Sequence, residues 1–167
     1  LVTILNAGAR GTTLAAAPEE QMKTTNEQVM EVLKDSKLQN KGKKAERRER
    51  LRQIVLPRFD FAEMGKRALG NNWNRNPDKQ QEFVTAFKQL LEETYADQIE
   101  LASGDKVVYL NERTEKDYAE VDTKVISAKG EETSMTYKLH PVDSDWKVFD
   151  IVVENISIVN NYRSQFS

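Results

Sequence analysis

The period of the hydrophobic pattern changes once, near residue 105, and that change restricts the fold more than any other feature of the chain. Before it, apolar residues recur at helical spacing; from Lys106 onward they alternate. Helices first and strands afterwards indicate an α+β domain, with N-terminal helices packed on one face of a curved antiparallel sheet.

The individual signals are local. Thr25 with Gln28 forms a capping-box pattern ahead of Val29, Met30 and Leu33, which predicts a helix to about Lys34. Lys43 to Val55 carries Ala45, Leu51, Ile54 and Val55 opposite a dense set of charges, an amphipathic helix stopped before Pro57. Asp60 with Glu63 offers a second capping box, Phe61, Met64 and Ala68 share a face, and Gly70 is placed for a C-terminal cap. Asn76-Pro77 opens the strongest helix, expected over about 77–96, with Phe83, Val84, Phe87, Leu90, Leu91 and Tyr95. Strands are predicted at Lys106 to Arg113, Tyr118 to Ala128, Glu132 to Val142 and Trp146 to Glu154, with hairpin turns at Lys129-Gly130 and Asp143-Ser144-Asp145. Gln98 to Leu101 would add a short edge strand.

At 167 residues the chain fits one domain, here residues 25–167. Residues 1–24 are set outside it. Their first part, LVTILNAGARGTTLAAA, has the texture of the back half of a secretory signal, although Arg10 interrupts the apolar run and Pro18 follows the A-x-A site. It is either a remnant of an export signal or a frayed extension.

Composition removes much of enzymology. There is no Cys and a single His, His140, so thiol nucleophiles, Cys/His zinc sites and thioredoxin chemistry are excluded. Lys and Arg number 25 against 27 Asp and Glu, a net charge of −2, which disfavours a dedicated nucleic-acid binder. No apolar run approaches the 18 or more residues of a membrane span.

Strand parity assigns faces. Ala119, Val121, Thr123 and Val125 point one way and Tyr118, Glu120, Asp122 and Lys124 the other; Met135, Tyr137 and Leu139 form the apolar set of the next strand. Trp146 to Val153 is apolar on both faces except at Asp150, so that strand is central or covered twice. Against the sheet the helices bring Phe59, Phe61, Met64, Leu69, Trp73, Phe83, Phe87, Leu90, Leu91 and Tyr95. These residues either fill the interior or surround an apolar pocket for a hydrophobic ligand, and spacing does not separate the two.

Four polar features stand out. His140, beside Pro141, reads as an exposed strand end. Asp150 among apolar neighbours is either a general base of raised pKa or a carboxylate satisfied by nearby donors. Lys41 to Arg52 holds Lys41, Lys43, Lys44, Arg47, Arg48, Arg50 and Arg52 against Glu46 and Glu49, either a solvated face or a surface for anionic headgroups or an acidic partner. Asn71, Asn72 and Asn74 around Trp73 mark a loop.

Several of these stretches together resemble one family: Arg47-Arg48 leading to Pro57-Arg58-Phe59-Asp60-Phe61-Ala62-Glu63-Met64, then Leu69-Gly70 and Trp73, Pro77 to Phe83, Phe87, Thr94-Tyr95-Ala96, and Trp146-Lys147-Val148-Phe149-Asp150 with the closing NYRSQF at 161–166. Over about residues 26–166 the chain resembles the MlaC family, the periplasmic phospholipid-binding components of the Mla lipid transport system, also called the toluene-tolerance auxiliary family. The resemblance implies an NTF2-like layout whose helices and curved sheet enclose an apolar cavity. It further implies a periplasmic, monomeric carrier exported by an N-terminal signal, with bound phospholipid as ligand and no cofactor, metal, nucleic acid or catalysis. Its partners would be an inner-membrane ABC transporter with an MCE-domain protein and an outer-membrane lipoprotein complex.

Such a carrier must offset a large loss. At about 0.8 kcal/mol per buried CH₂, two chains with roughly 30 methylenes forfeit on the order of 24 kcal/mol on leaving a bilayer. Carried over onto this sequence, the expected tail contacts are Met64, Leu69, Trp73, Phe83, Phe87, Leu90, Leu91, Tyr95, Val121, Val125, Tyr137, Leu139 and Ile151. The headgroup is expected to stay in water, with loose headgroup choice. Tyr162 and Arg163 are expected to fix a turn into a final helix, with Arg163 pairing Asp150. The sequence stops at Ser167, where family members usually continue with that helix, so one cavity wall is expected to be missing, and Asn155 stands where the family pattern has Gly. The alternatives are a filled-core interaction module and a small isomerase-like enzyme using Asp150.

Overall fold

A computed structural model describes residues 16–167. Five strands, β1 (Lys106–Glu115), β2 (Tyr118–Ile126), β3 (Glu132–Val142), β4 (Asp145–Val153) and β5 (Ile156–Ser157), form one sheet in sequential order, each pair antiparallel. Short turns suffice for such a meander. Gly130 at φ 85° closes the β2–β3 turn, and Asp143 at φ 57° lies in the β3–β4 turn. Between β4 and β5 the left-handed positions fall on Glu154 and Asn155, at φ 47° and 65°. Asn tolerates this region better than most side chains, so Asn155 does the work expected of Gly.

Register confirms the expected inner face. Ala119 lies opposite Leu139, Val121 opposite Tyr137 and Thr123 opposite Met135, and Leu139 continues to Val148 and Tyr137 to Ile151. Helix α1 (Pro18–Lys34) covers this face through Met22, which joins the buried cluster of Ala119, Val121, Tyr137, Leu139, Trp146 and Val148. The helix starts seven residues earlier than the Thr25 capping pattern suggested. Pro18 occupies its first turn, where a missing N–H costs nothing, and the Thr25 hydroxyl instead donates to the Gln21 carbonyl 2.9 Å away. Of the expected export-signal stretch, residues 1–15 lie outside the described residues.

Helices α3 (Phe61–Leu69), α4 (Gln80–Glu100) and α5 (Ile158–Gln165) pack together at the opposite face of β4. A β-bulge lies in this strand. Lys138 pairs with Asp150 and Leu139 with Val148, leaving Phe149 unpaired, so Val148 and Ile151 both lie on the α1 side while Phe149 and Asp150 both turn toward α3 and α5. The strand covered on both faces is thereby accounted for, helped by a single bridge from Phe59 to Val148 along its other edge. Asp60 caps α3, accepting from the Glu63 N–H at 3.0 Å as expected.

Two elements differ from expectation. Gln98 to Leu101 is no strand: α4 runs to Glu100 and ends in a 3-10 turn over Leu101–Gly104, because Ile99 and Ala102 pack on the Val29, Leu33 and Leu51 cluster formed with α2 (Lys44–Val55). The NYRSQF stretch is itself helical. Tyr162 and Arg163 lie inside α5 rather than in a turn before a helix.

Three pieces of chain meet at a buried polar staple. The Arg58 guanidinium donates to Gln21 Oε1 at 2.7 Å, to the Trp146 carbonyl at 2.8 Å and to Thr25 Oγ1 at 3.1 Å, while the Trp146 N–H donates to the same Gln21 oxygen at 2.9 Å. Burial lowers the Arg58 pKa from its ordinary value, and these acceptors keep the desolvated cation satisfied.

Candidate functional site

The basic run on α2 is largely neutralised. Arg47 and Arg48 both donate to Glu100 of α4, at 3.1 and 3.0 Å, Arg48 also reaches Asp97, and Arg52 reaches Glu92 at 2.7 Å. Lys43, just before α2, and Arg50 within it both pair with Glu46. This run is a clamp joining α2 to α4. A shallow groove beside it, lined by Lys44, Arg47, Asp97, Glu100 and Leu101, is floored by the same ion pairs.

A second concavity has a different character. Between α3, the 3-10 turn Gly70–Arg75, β3, β4 and α5 lies a cleft of about 330 Å³. Trp73, Phe149 and Val159 give it apolar walls; Lys66, Arg67, Lys138 and Arg163 bring four cations to it, against the single carboxylate of Asp150. Arg67 is held by Glu63 at 2.8 Å and lies 4.2 Å over the Phe149 ring. Arg163 lies flat against Gly70: a Cβ there would meet its guanidinium at 3.1–3.2 Å. Gly70 also sits at φ 54°, ψ −125°, a conformation that side chains strongly disfavour, so the α3 terminus and the seat of Arg163 both depend on this glycine. The Trp73 carbonyl accepts from Gln80 at 2.9 Å, tying this turn to α4.

Asp150 is buried and engaged. It accepts from the Ser157 hydroxyl at 2.5 Å and from the Val159 N–H at 3.1 Å, and Ser157 in turn accepts from the Asn160 N–H at 3.0 Å. The carboxylate thus fixes the start of α5, in place of the expected pairing with Arg163. Both carboxylate oxygens are thereby engaged in holding the start of α5. His140 is no exposed strand end either. Its Nε2 lies 2.9 Å from Asp60 Oδ2 and its ring meets Phe149 edge-on at 5.3 Å, because α3 folds over that end of β3.

The expected tail contacts fall into two groups. Met64, Phe87 and Leu91 are buried together with Phe149, Val159 and Tyr162, with Phe83 and Tyr95 packed against them. Val121, Tyr137 and Leu139, with Ile151 beside them, lie on the other face of the sheet under α1. Phe59 touches both clusters. Leu69 and Val125 are half-buried, Leu90 is exposed, and Trp73 borders the cleft. Sequence reasoning missed Lys66, Arg67 and Lys138, and placed Phe149 and Arg163 in motifs without joining them to a cleft; these residues come from α3, β3, β4 and α5, so no local spacing connects them.

The aromatic layer behind the cleft is continuous. Phe83 stacks on Phe87 at 5.6 Å, Phe87 meets Tyr162 edge-on at 5.3 Å, and Tyr162 stacks on Phe166 at 5.9 Å. Phe149 and Val159 belong to both the cleft wall and this layer.

Comparison with known proteins places this geometry in context. The chain is 25% identical over 171 residues to the toluene tolerance protein Ttg2D of Pseudomonas putida, covering 100% of this chain and 79% of that protein. Its fold matches the phospholipid-binding protein of Ralstonia solanacearum, whose structure was solved in complex with a phospholipid, with a TM-score of 0.79 and 28% identity over 90% of this chain and 86% of that one. The profile of the MlaC protein family matches residues 23–167, most of the chain, and the protein therefore belongs to the MlaC family.

Proposed function

We propose that this protein is a soluble periplasmic carrier that binds a phospholipid by its acyl tails and shuttles it between an outer-membrane lipoprotein complex and an inner-membrane ABC transporter with an MCE-domain protein. The observation that carries this reading is the match, over nine-tenths of the chain, to a protein solved with a phospholipid bound. A filled-core interaction module is the reading it competes with.

The physical demand falls on the aromatic layer. A site for two tails must supply a dry surface large enough to offset on the order of 24 kcal/mol of lost membrane burial, and a cleft of about 330 Å³ is at the lower end of small-molecule pockets, which run about 300–1,000 Å³. The tails therefore enter by parting α3, α4 and α5 from β4, with Met64, Trp73, Phe83, Phe87 and Leu91 as the first contacts. Stacked aromatic contacts worth about 0.5–1.5 kcal/mol each are exchanged for contacts with methylenes, so the exchange is nearly balanced and reversible, as a shuttle requires.

Native mass spectrometry of protein purified without detergent, paired with organic extraction, tests the reading. A discrete added mass of a diacyl phospholipid is expected. An apo mass, from protein that also takes up no lipid from vesicles, would put the interaction module first.

A further inference from the structure

We propose that the cleft between α3, β4 and α5 is an anion site that grips the phosphate of the bound phospholipid through Lys66, Lys138 and Arg163, and so selects headgroups that carry no cation of their own. The inference rests on the carrier reading and refines it: the headgroup is held, not merely left in water.

Three observations support the site. The first is a concentration of positive charge with few partners. The arginines of α2 are matched by carboxylates, Arg113 by Glu120 and Asp122, and Lys124 by Glu132. Of the four cations lining the cleft only Arg67 is ion-paired among the described residues, to Glu63. Lys138 shares its charge with Glu120 across the β2–β3 ladder, whereas Lys66 and Arg163 have no ion pair among the described residues; gathering these cations around one concavity raises their mutual repulsion, which a bound anion relieves.

The second is preorganisation. Arg163 is seated on Gly70 by close contact, and no ion pair engages its guanidinium among the described residues. Lys138 projects from β3, paired on both sides by neighbouring strands, and so sits on a rigid element. Charge-assisted bonds gain most when their donors are already in place.

The third is the mixed lining. Trp73, Phe149 and Val159 form one wall and the cations the rim, which suits an amphiphile whose phosphate meets the rim while its acyl chains pass Phe149 into the aromatic layer. Asp150 is the carboxylate of the cleft, and it is buried with its oxygens on Ser157 and Val159. Its charge keeps an anion off the floor and places the phosphate at the mouth, toward Lys66 and Arg163.

The test uses the whole delipidated chain incubated with vesicles of equal phosphatidylglycerol and phosphatidylcholine, the loaded lipids then being extracted and quantified. Partly exposed cations are worth about two- to fivefold each, so the wild type is expected to load phosphatidylglycerol about tenfold over phosphatidylcholine. In the Lys138→Gln/Arg163→Gln double variant the ratio falls to near one with the melting temperature kept, Arg163→Lys recovers part of it, and Lys41→Gln, in the 3-10 turn before α2 and not part of the cleft lining, keeps the wild-type ratio. Equal loading by the wild type, or an unchanged ratio in the double variant, overturns the proposal while leaving the carrier reading intact. Failure to load either lipid overturns both. Glycerol 3-phosphate and inorganic phosphate, followed by amide chemical shifts around Gly70 and Arg163, separate the sources: weak, millimolar binding is expected, whereas saturation at micromolar concentration would assign the cleft to soluble phosphoesters and overturn the lipid assignment.

Discussion

Arg58 Nη1 lies 2.7 Å from Gln21 Oε1, and through that one oxygen, which also accepts from the Trp146 N–H, the first helix is fastened to the sheet. Arg58→Met strips three acceptors of a charged donor, and a loss of about 2–3 kcal/mol in urea denaturation is expected. Gln21→Leu should lose a similar amount, and the double variant less than the sum of the two. Simple additivity would show that the residues do not act as one staple.

The clamp between α2 and α4 discriminates between buried and exposed ion pairs. Glu100 is nearly buried and accepts from two arginines, whereas Arg52 and Glu92 meet closer to solvent. Glu100→Gln leaves Arg47 without a counter-charge and Arg48 with Asp97 alone, and is expected to cost about 1–2 kcal/mol. Arg52→Gln should stay within about 0.5 kcal/mol of wild type. Thermal melts of the two variants at equal ionic strength decide the matter; equal losses would contradict the ranking.

Asp150 serves the fold. An amide oxygen in Asp150→Asn accepts a weaker bond and its NH₂ confronts a donor, so stability should drop by about 1–2 kcal/mol. Ser157→Ala removes the linked cap of α5 and should cost about 1 kcal/mol. A variant of Asp150 that lost a measurable turnover while keeping its melting temperature would instead revive the isomerase-like reading.

Gly70→Ala places a side chain at φ 54° and pushes on Arg163, so a loss of about 1–3 kcal/mol is expected from the backbone alone. The same substitution moves the guanidinium, so the lipid-class ratio should change with it. Melting and lipid loading measured on one preparation check both effects.

Tyr137 gives the alkaline limb of stability. Burial pushes its hydroxyl up to about 12, while an unfolded tyrosine ionises near 10. Between these values the unfolded chain releases a proton that the native chain keeps, so stability falls as pH rises through that window. The deficit from this residue reaches about 1.4 kcal/mol near pH 11. Tyr137→Phe should flatten the slope of denaturation midpoint against pH over this range by that amount; parallel slopes would show that Tyr137 titrates normally.

The alternation of Ala119, Val121 and Thr123 was visible in the sequence because a strand with one buried face must repeat every two residues, and the pairing with Leu139, Tyr137 and Met135 follows from it. The apolar run in β4 showed a strand covered on both faces, but the bulge was not visible: with Phe149 unpaired, Asp150 stays on the outer side and Ile151 returns to the inner one, and a bulge leaves no compositional mark. In the sequence Pro18 counts only against cleavage after Ala15-Ala16-Ala17, and its place in the first turn of α1 is hidden by the capping pattern at Thr25. The charges of α2 drew attention because they are adjacent in sequence, yet their partners lie some fifty residues away on α4. Lys66 and Lys138 were invisible for the opposite reason: each is unremarkable in its own segment, and Arg163, though marked by its motif, was assigned to Asp150; only the packing of α3 and α5 across β4 brings the three together.

The sequential strand order has a kinetic corollary. Every ladder of the sheet joins neighbours in the chain, so each closes a short loop at small entropic cost, and the sheet can assemble by zipping from its turns. The contact between Gln21 and Trp146 spans 125 residues, so α1 must wait for β4 to exist before it can dock. Hydrogen exchange under native conditions should therefore find α1 opening as a unit at lower free energy than β2 and β3, the last part of the protein to arrive and the first to leave.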